Sequence, residues 1–94
     1  MTGRVAGKVA LVTGAGSGVG RAVMTRFADQ GATVIGIGRT AATVEETAAI
    51  VSANGGRAYS RVADLSESDP IERLAKDIIE ELGRIDILVH AAGV

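Results

Sequence analysis

The chain has 94 residues, enough for one small domain over residues 1–94, and only 2% are aromatic against 47% hydrophobic, so Val, Ile, Leu and Ala must build the core. A net charge of −1 without a basic stripe gives nucleic-acid binding no electrostatic support, and the absence of cysteine excludes disulfides and thiolate metal sites. The apolar run at 8–12 is far too short to span a membrane, so we expect a cytoplasmic protein that binds neither membrane nor nucleic acid.

The first predicted elements are a strand, a helix and a second strand over residues 8–38. Lys8–Thr13 has the near-continuous apolar character of a buried strand. A helix is predicted from Gly18 to Gln30, with Gly31 in the C-cap position. Thr33–Ile37 is the second strand. The helix is indicated by apolar side chains near helical spacing, namely Val19, Ala22, Val23 and Phe27.

The second half of the chain repeats the alternation. Thr43–Glu46 fits a capping box, which predicts a helix from Thr43 to about Asn54. Arg57–Val62 is a third strand, and its lower apolar content favours a sheet edge. Asp69-Pro70 opens a third helix with Pro at the first helical position, and Gly83 closes it. Ile85–Val89 is the fourth strand. The third helix carries one apolar stripe: Ile71, Leu74, Ile78 and Leu82.

The order βαβαβαβ predicts an α/β fold, a partial Rossmann fold of four parallel strands with three helices on two faces. The strand order is 3-2-1-4 if the third helix crosses to the opposite face of the sheet. The connections on either side of strand 1 then run in opposite directions. Ligands of such sheets bind at this switch point, between strands 1 and 4.

The turn between the first strand and the first helix holds four glycines over residues 14–20. Small residues let the backbone approach a bulky anion, and the amides and dipole at the start of a helix favour negative charge. A bare turn needs only one or two glycines. The pattern therefore predicts a pyrophosphate cradle, with a simple tight turn as the alternative.

Thr13-Gly14-x-x-x-Gly18-x-Gly20 resembles the fingerprint of the short-chain dehydrogenase/reductase family. Three further stretches resemble the family at its spacing: Asp64-Leu65 after the third strand, Asp86–Val89 in the fourth strand, and His90–Gly93 after it. The resemblance covers nearly all of residues 5–94 and is nearest to the 3-oxoacyl-carrier-protein reductase-like branch. It implies the cofactor-binding part of an oxidoreductase.

The resemblance also implies which residues hold the cofactor. Asp64 would accept a hydrogen bond from the adenine amino group beside the Leu65 amide. Ala91, with Ala92 and Gly93, would offer backbone groups to the nicotinamide-side ribose. His90 and Ala91 stand where the family has two asparagines, so the support of an Asn side chain is absent. The pyrophosphate loop falls on Gly14, Gly16, Ser17, Gly18, Val19 and Gly20.

The end of the second strand bears on the choice between NAD and NADP. NAD-binding proteins of this fold usually carry an acidic residue there, which binds the ribose 2′-hydroxyl. Gly38 occupies that position, and Arg39 and Thr40 follow it. A guanidinium can hold a 2′-phosphate with paired hydrogen bonds. We therefore expect the protein to favour NADP(H) over NAD(H). The alternative is that Arg39 is only a solvated charge in a loop.

The residues that the family's chemistry requires are not in these 94. The family uses a Tyr-x-x-x-Lys pair and an upstream Ser, whereas Tyr59 is followed four residues later by Ala63. Tyr59 is interpreted as a strand aromatic packed under a helix, and His90 as a strand-end residue in an Asn position. No residue is assigned a catalytic role, and no metal-ligand cluster is evident.

Without later strands, the fourth strand would be an exposed apolar edge, which suggests part of a longer protein. By resemblance, the complete protein would transfer hydride between nicotinamide and a small carbonyl or alcohol substrate and form a homo-oligomer. Two alternatives remain open at this point. One is a non-catalytic dinucleotide-binding module, and the other is an inactive remnant that binds nothing.

Overall fold

The computed structural model describes residues 6–15, 18–63 and 68–90. Within them, four parallel strands form one sheet in the order β3-β2-β1-β4, as the sequence predicted. The strand bounds are β1 Val9–Thr13, β2 Thr33–Gly38, β3 Arg57–Val62 and β4 Ile87–His90. The helix bounds are α1 Gly18–Asp29, α2 Ala41–Ala53 and α3 Ser68–Leu82. None of the helices in this described part is long and apolar enough to cross a membrane.

The helices divide between the two faces of the sheet. On one face, Met24 of α1 and Val44 and Val51 of α2 pack with strand residues such as Val12 and Val34. On the other face, Ile78 of α3 is 1% exposed and packs with a second set of strand residues, Val9, Leu11, Ile35 and Ile37. The third helix has therefore crossed to the opposite face, the condition on which the strand order depended.

β1 lies inside the sheet and is buried along its whole length. It pairs with β2 from Val9 opposite Thr33 to Thr13 opposite Ile37, and with β4 from Ala10 opposite Ile87 to Thr13 opposite His90. Successive side chains point to opposite faces, so each core receives alternate residues of the strand. This explains why the sequence of β1 shows an apolar run instead of an alternation.

The predicted apolar stripe of α3 meets the second core. Leu74 and Leu82 are half-buried there beside the buried Ile78. α3 begins at Ser68, two residues before Pro70, so Pro70 is not at the first helical position. At the end of α1, Gly31 has a φ of 92°, a left-handed conformation that favours glycine, as its predicted C-cap role requires.

The prediction that Thr43 opens α2 is wrong. The helix begins at Ala41, after Thr40, whose extended backbone (φ −109°, ψ 114°) makes it the N-cap residue. Thr43 lies inside the first turn, and its hydroxyl donates to the Thr40 carbonyl at 3.1 Å. The hydroxyl is thus a donor to the backbone here, whereas a capping box needs it as an acceptor.

β4 begins two residues later than predicted. The reason is that the Asp86 side chain takes the place of a backbone carbonyl as the partner of the Val9 amide. The Val9 amide donates to the Asp86 carboxylate at 2.8 Å, and the Asp86 amide donates to the Val9 carbonyl at 2.9 Å. Arg84 donates to the other carboxylate oxygen from Nε at 3.0 Å and from Nη2 at 2.6 Å. Hydrogen bonding to Arg84 first, and to the Val9 amide second, lowers the pKa of Asp86 below its ordinary value of 3.8.

A carboxyl group with a lowered pKa stabilises the fold while it is ionised, and this contribution is lost as the pH falls through the lowered pKa. We predict that Asp86→Asn reduces the free energy of unfolding at pH 7, and that its difference from wild type shrinks from about pH 4 downward. Denaturant unfolding at a series of pH values measures this. Asp77→Asn, at an exposed carboxylate on α3, is the control. A difference that stays constant down to pH 2 would contradict the role of the ionised carboxylate.

Candidate functional site

The glycine-rich turn leaves the carboxyl end of β1, between the ends of β2 and β4. Thr13, the last residue of β1, lies opposite Ile37 in β2 and His90 in β4. The Thr13 hydroxyl also donates to the Val89 carbonyl at 3.4 Å, which ties the ends of β1 and β4 together. The turn therefore lies at the switch point of the sheet, where ligands of open α/β folds bind.

Two glycines of the turn have conformations or surroundings that other residues would not tolerate. Gly14 has a φ of 70°. A Cβ on Gly20 would overlap the Gly14 carbonyl oxygen and lie 2.7 Å from the Gly14 carbonyl carbon and 2.9 Å from the Ala15 Cα. The start of α1 thus packs directly on the turn. Gly18 and Val19, in the first turn of α1, are exposed.

Ala15 is the residue of the turn that the rest of the fold holds. It is fully buried, and its amide donates to the Ile37 carbonyl of β2 at 3.1 Å. Its methyl group lies over Gly36 of β2, where a Cβ would be 2.7 Å from both the Ala15 Cβ and the Met24 Sδ. The turn can approach the sheet this closely because β2 has no side chain at Gly36.

A second hydrogen bond to Ala15 comes from α2. The Thr47 hydroxyl, which is fully buried, lies 2.8 Å from the Ala15 carbonyl oxygen. Arg21 of α1 donates to the Thr47 Oγ1 from Nε at 3.2 Å, and its Nη2 lies 3.5 Å from the Glu46 carboxylate. These side chains link the turn, α1 and α2 in one polar network.

Sequence reasoning missed Thr47 and Arg21. A signal was present, because Val44, Thr47 and Val51 recur at the spacing of one helix face. A hydroxyl on an apolar stripe is buried, and a buried hydroxyl needs a partner. The identity of that partner required the fold, since Ala15 is 32 residues away along the chain.

Arg39 and Thr40 lie between the end of β2 and the start of α2, at the same carboxyl end of the sheet as the turn. Both residues are exposed. The Ala63 amide donates to the Gly38 carbonyl at 3.0 Å, so the end of β3 lies alongside. Thr40 makes no side-chain cap on α2. A basic side chain and a helix N-terminus without a side-chain cap both favour an anion at this end of the sheet.

The structure separates Tyr59 from the site. Tyr59 lies opposite Ile35, in the middle of the edge strand β3, away from the carboxyl end of the sheet. It is 42% exposed, so the prediction that it packs under a helix is wrong. His90 lies opposite Thr13 at the end of β4. The remaining predicted site residues lie outside the described residues: Gly16, Ser17, Asp64, Leu65, Ala91, Ala92 and Gly93.

The family model described as short chain dehydrogenase matches residues 8–94, nearly the whole chain. The chain belongs to this family. A short chain dehydrogenase of Pseudocercospora fijiensis is 40% identical over 92 residues, which are 98% of this chain and 30% of the relative. The chain thus spans a third or less of the length of the curated relatives that it matches.

Solved structures of the short chain dehydrogenase family share the fold. A metagenomic short-chain oxidoreductase in complex with NADP matches with a TM-score of 0.91 and 38% identity, over 96% of this chain and 41% of that one. Carveol dehydrogenase from Mycobacterium avium in complex with NAD matches with a TM-score of 0.89 and 35% identity, over 99% of this chain and 38% of that one. These two relatives hold different dinucleotides.

The packing of Gly20 predicts a difference between two glycines of α1. Gly20→Ala places a methyl group against backbone atoms, and we expect the free energy of unfolding to fall by about 1–3 kcal/mol, the usual cost of overpacking. Gly18→Ala is the matched control, because nothing lies within 4 Å of its Cβ position. It should leave stability unchanged or raise it by up to about 1 kcal/mol. Equal stability of the two variants in denaturant unfolding would contradict the close packing of Gly20.

Proposed function

We propose that this chain is the NADP(H)-binding part of a short-chain dehydrogenase/reductase that transfers hydride between the nicotinamide and a small carbonyl or alcohol substrate. The proposal is carried by the position of the glycine turn and of Arg39 and Thr40 at the same carboxyl end of the sheet. There the glycine turn stands at the switch point beside β4, and Arg39 and Thr40 stand at the end of β2. A dinucleotide laid along this end of the sheet would meet the turn with its pyrophosphate and Arg39 with its 2′-phosphate.

The turn supplies the pyrophosphate part of the proposed site. Gly14, Gly18, Val19 and Gly20 bring backbone close to the ligand at the start of α1, where the helix dipole favours negative charge. Gly16 and Ser17 would complete the loop. Asp64 and Leu65 would hold the adenine, and Ala91, Ala92 and Gly93 the nicotinamide-side ribose. The family's chemistry lies in the nicotinamide, whose C4 carries the hydride, and the chain's task is to hold and orient it.

The charge at the end of β2 supports a preference for NADP(H). The residues at the end of β2, Gly38, Arg39 and Thr40, include no carboxylate that would repel a 2′-phosphate. The Arg39 side chain is exposed and can swing onto the phosphate, since it is not fixed elsewhere by burial. Thr40 adds a hydroxyl and lies at the N-terminus of α2, whose dipole also favours an anion.

Arg39→Ala should weaken the binding of NADPH by about 10–100-fold, the range for losing hydrogen bonds to a charged group, and change the binding of NADH little. Fluorescence titration with NADPH and with NADH measures the dissociation constant of each dinucleotide for wild type and variant. Arg57→Ala is the matched control, because Arg57 is an exposed cation at the opposite, amino end of the sheet. Equal weakening of NADPH and NADH by Arg39→Ala would show that Arg39 does not bind the 2′-phosphate.

Turnover separates the proposed enzyme from a non-catalytic binding module. The family's Tyr-x-x-x-Lys pair is not among these 94 residues, and Tyr59 lies away from the proposed nicotinamide end. We propose that the whole protein carries that pair outside these residues and oxidises NADPH with a small carbonyl compound. Tight NADPH binding without oxidation by a panel of aldehydes and ketones would favour the module. The 3-oxoacyl-carrier-protein reductase-like branch, the cytoplasmic location and the homo-oligomer stay predictions.

A further inference from the structure

Thr47 has an unusual hydrogen-bonding position for a threonine inside a helix. Such a hydroxyl ordinarily donates to the carbonyl four residues earlier in its own helix. Thr25 of α1 does so, with its hydroxyl 2.9 Å from the Arg21 carbonyl oxygen. Thr47 has the same option at the Thr43 carbonyl, at 3.1 Å, but its contact to the Ala15 carbonyl is shorter, at 2.8 Å. Its single proton is therefore best placed on the turn.

The surroundings of Thr47 reinforce this direction. The side chain is fully buried, so water does not compete for the hydroxyl. The Arg21 Nε donates to the Thr47 oxygen at 3.2 Å, which occupies one lone pair and leaves the hydroxyl proton for a carbonyl. Arg21 itself stands in the first turn of α1, directly after the glycine turn. The network thus connects Ala15 of the turn, through Thr47, to the helix turn that follows it in the chain.

The bond to Ala15 acts on the direction of the turn. The Ala15 amide is already fixed by the Ile37 carbonyl of β2, and the Thr47 hydroxyl fixes the carbonyl on the other side of the same residue. Because a peptide unit is planar, holding its carbonyl oxygen fixes the plane of the whole unit. Thr47 therefore fixes the orientation of the Ala15 carbonyl, and with it the direction in which the backbone leaves Ala15.

We propose that Thr47 is a positioning residue for the cofactor's pyrophosphate, acting through the Ala15 carbonyl without touching the ligand. The inference rests on the proposed function, in which this turn binds that pyrophosphate. It also gives α2 two tasks, since Thr40 and Arg39 at its start face the 2′-phosphate while Thr47, about two helical turns later, orients the turn.

The test compares a ligand that has a pyrophosphate with one that has none. Thr47→Val keeps the shape of the side chain and removes the hydroxyl. We expect it to weaken NADPH about tenfold and to leave 2′-AMP unchanged, measured by titration calorimetry on the folded protein. Thr47→Ser, which keeps the hydroxyl, should restore NADPH affinity to within about twofold. Thr25→Val, which removes a threonine hydroxyl that donates to the Arg21 carbonyl within α1, should leave both affinities unchanged.

Three results would overturn the proposal: an unchanged NADPH affinity in Thr47→Val, an equal loss of NADPH and 2′-AMP, or no rescue by Thr47→Ser. If Thr47→Val does not fold, Thr47→Cys takes its place with the same expectations, because a thiol is of similar size and a weak donor. A wild-type protein that binds neither ligand would overturn the proposed function and this inference with it. A wild-type protein that binds NADPH, with a Thr47→Val variant that binds it equally well, would overturn the inference alone.

Discussion

The pairing of β1 on both of its edges determines where everything else at the candidate site lies. β2 and β4 hold β1 in parallel register to its last residue, Thr13, and the helices on both faces bury it completely. The chain that leaves β1 must therefore emerge at the switch point between β2 and β4. A strand at the edge of the sheet, such as β3, could not bring a turn to this place.

The close approach of the turn to the sheet depends on small residues in two segments at once. Gly36 in β2 leaves the space that Ala15 and Met24 fill, and Gly20 in α1 leaves the space beside the Gly14 carbonyl. The start of α1, which follows the turn, is exposed at Gly18 and Val19. Small residues in β2 and in α1 thus permit the tight packing around the described part of the turn.

Much of this arrangement could be predicted from the sequence, and the reason differs from element to element. The apolar run of β1, the stripe containing Ile78 and the glycines that follow α1 and α3 are local patterns, and each predicted its feature correctly. The start of α2 was missed because Thr43 satisfies the letters of a capping box while its hydroxyl bonds the other way. The start of β4 was missed because the Asp86 side chain substitutes for a backbone partner.

The candidate site shows the same limit. Gly14, Gly20 and Arg39 could be proposed as site residues because the neighbouring residues in the sequence complete a recognisable pattern. The partner of Thr47 could not be predicted, because a buried threonine has many possible partners, and the packing of α2 against the turn selects Ala15 among them. Contacts between segments that are distant in the sequence depend on the topology of the fold. The contact between Thr47 and Ala15 is of this kind.

In the proposed site, one dinucleotide spans the carboxyl end of the sheet from the glycine turn to Arg39. A crystal structure of the protein with NADPH bound tests it most directly. We expect the pyrophosphate to lie against the turn at the start of α1 and the 2′-phosphate to lie within hydrogen-bond distance of Arg39. A dinucleotide bound elsewhere on the molecule, or a 2′-phosphate directed away from Arg39 and Thr40, would contradict it.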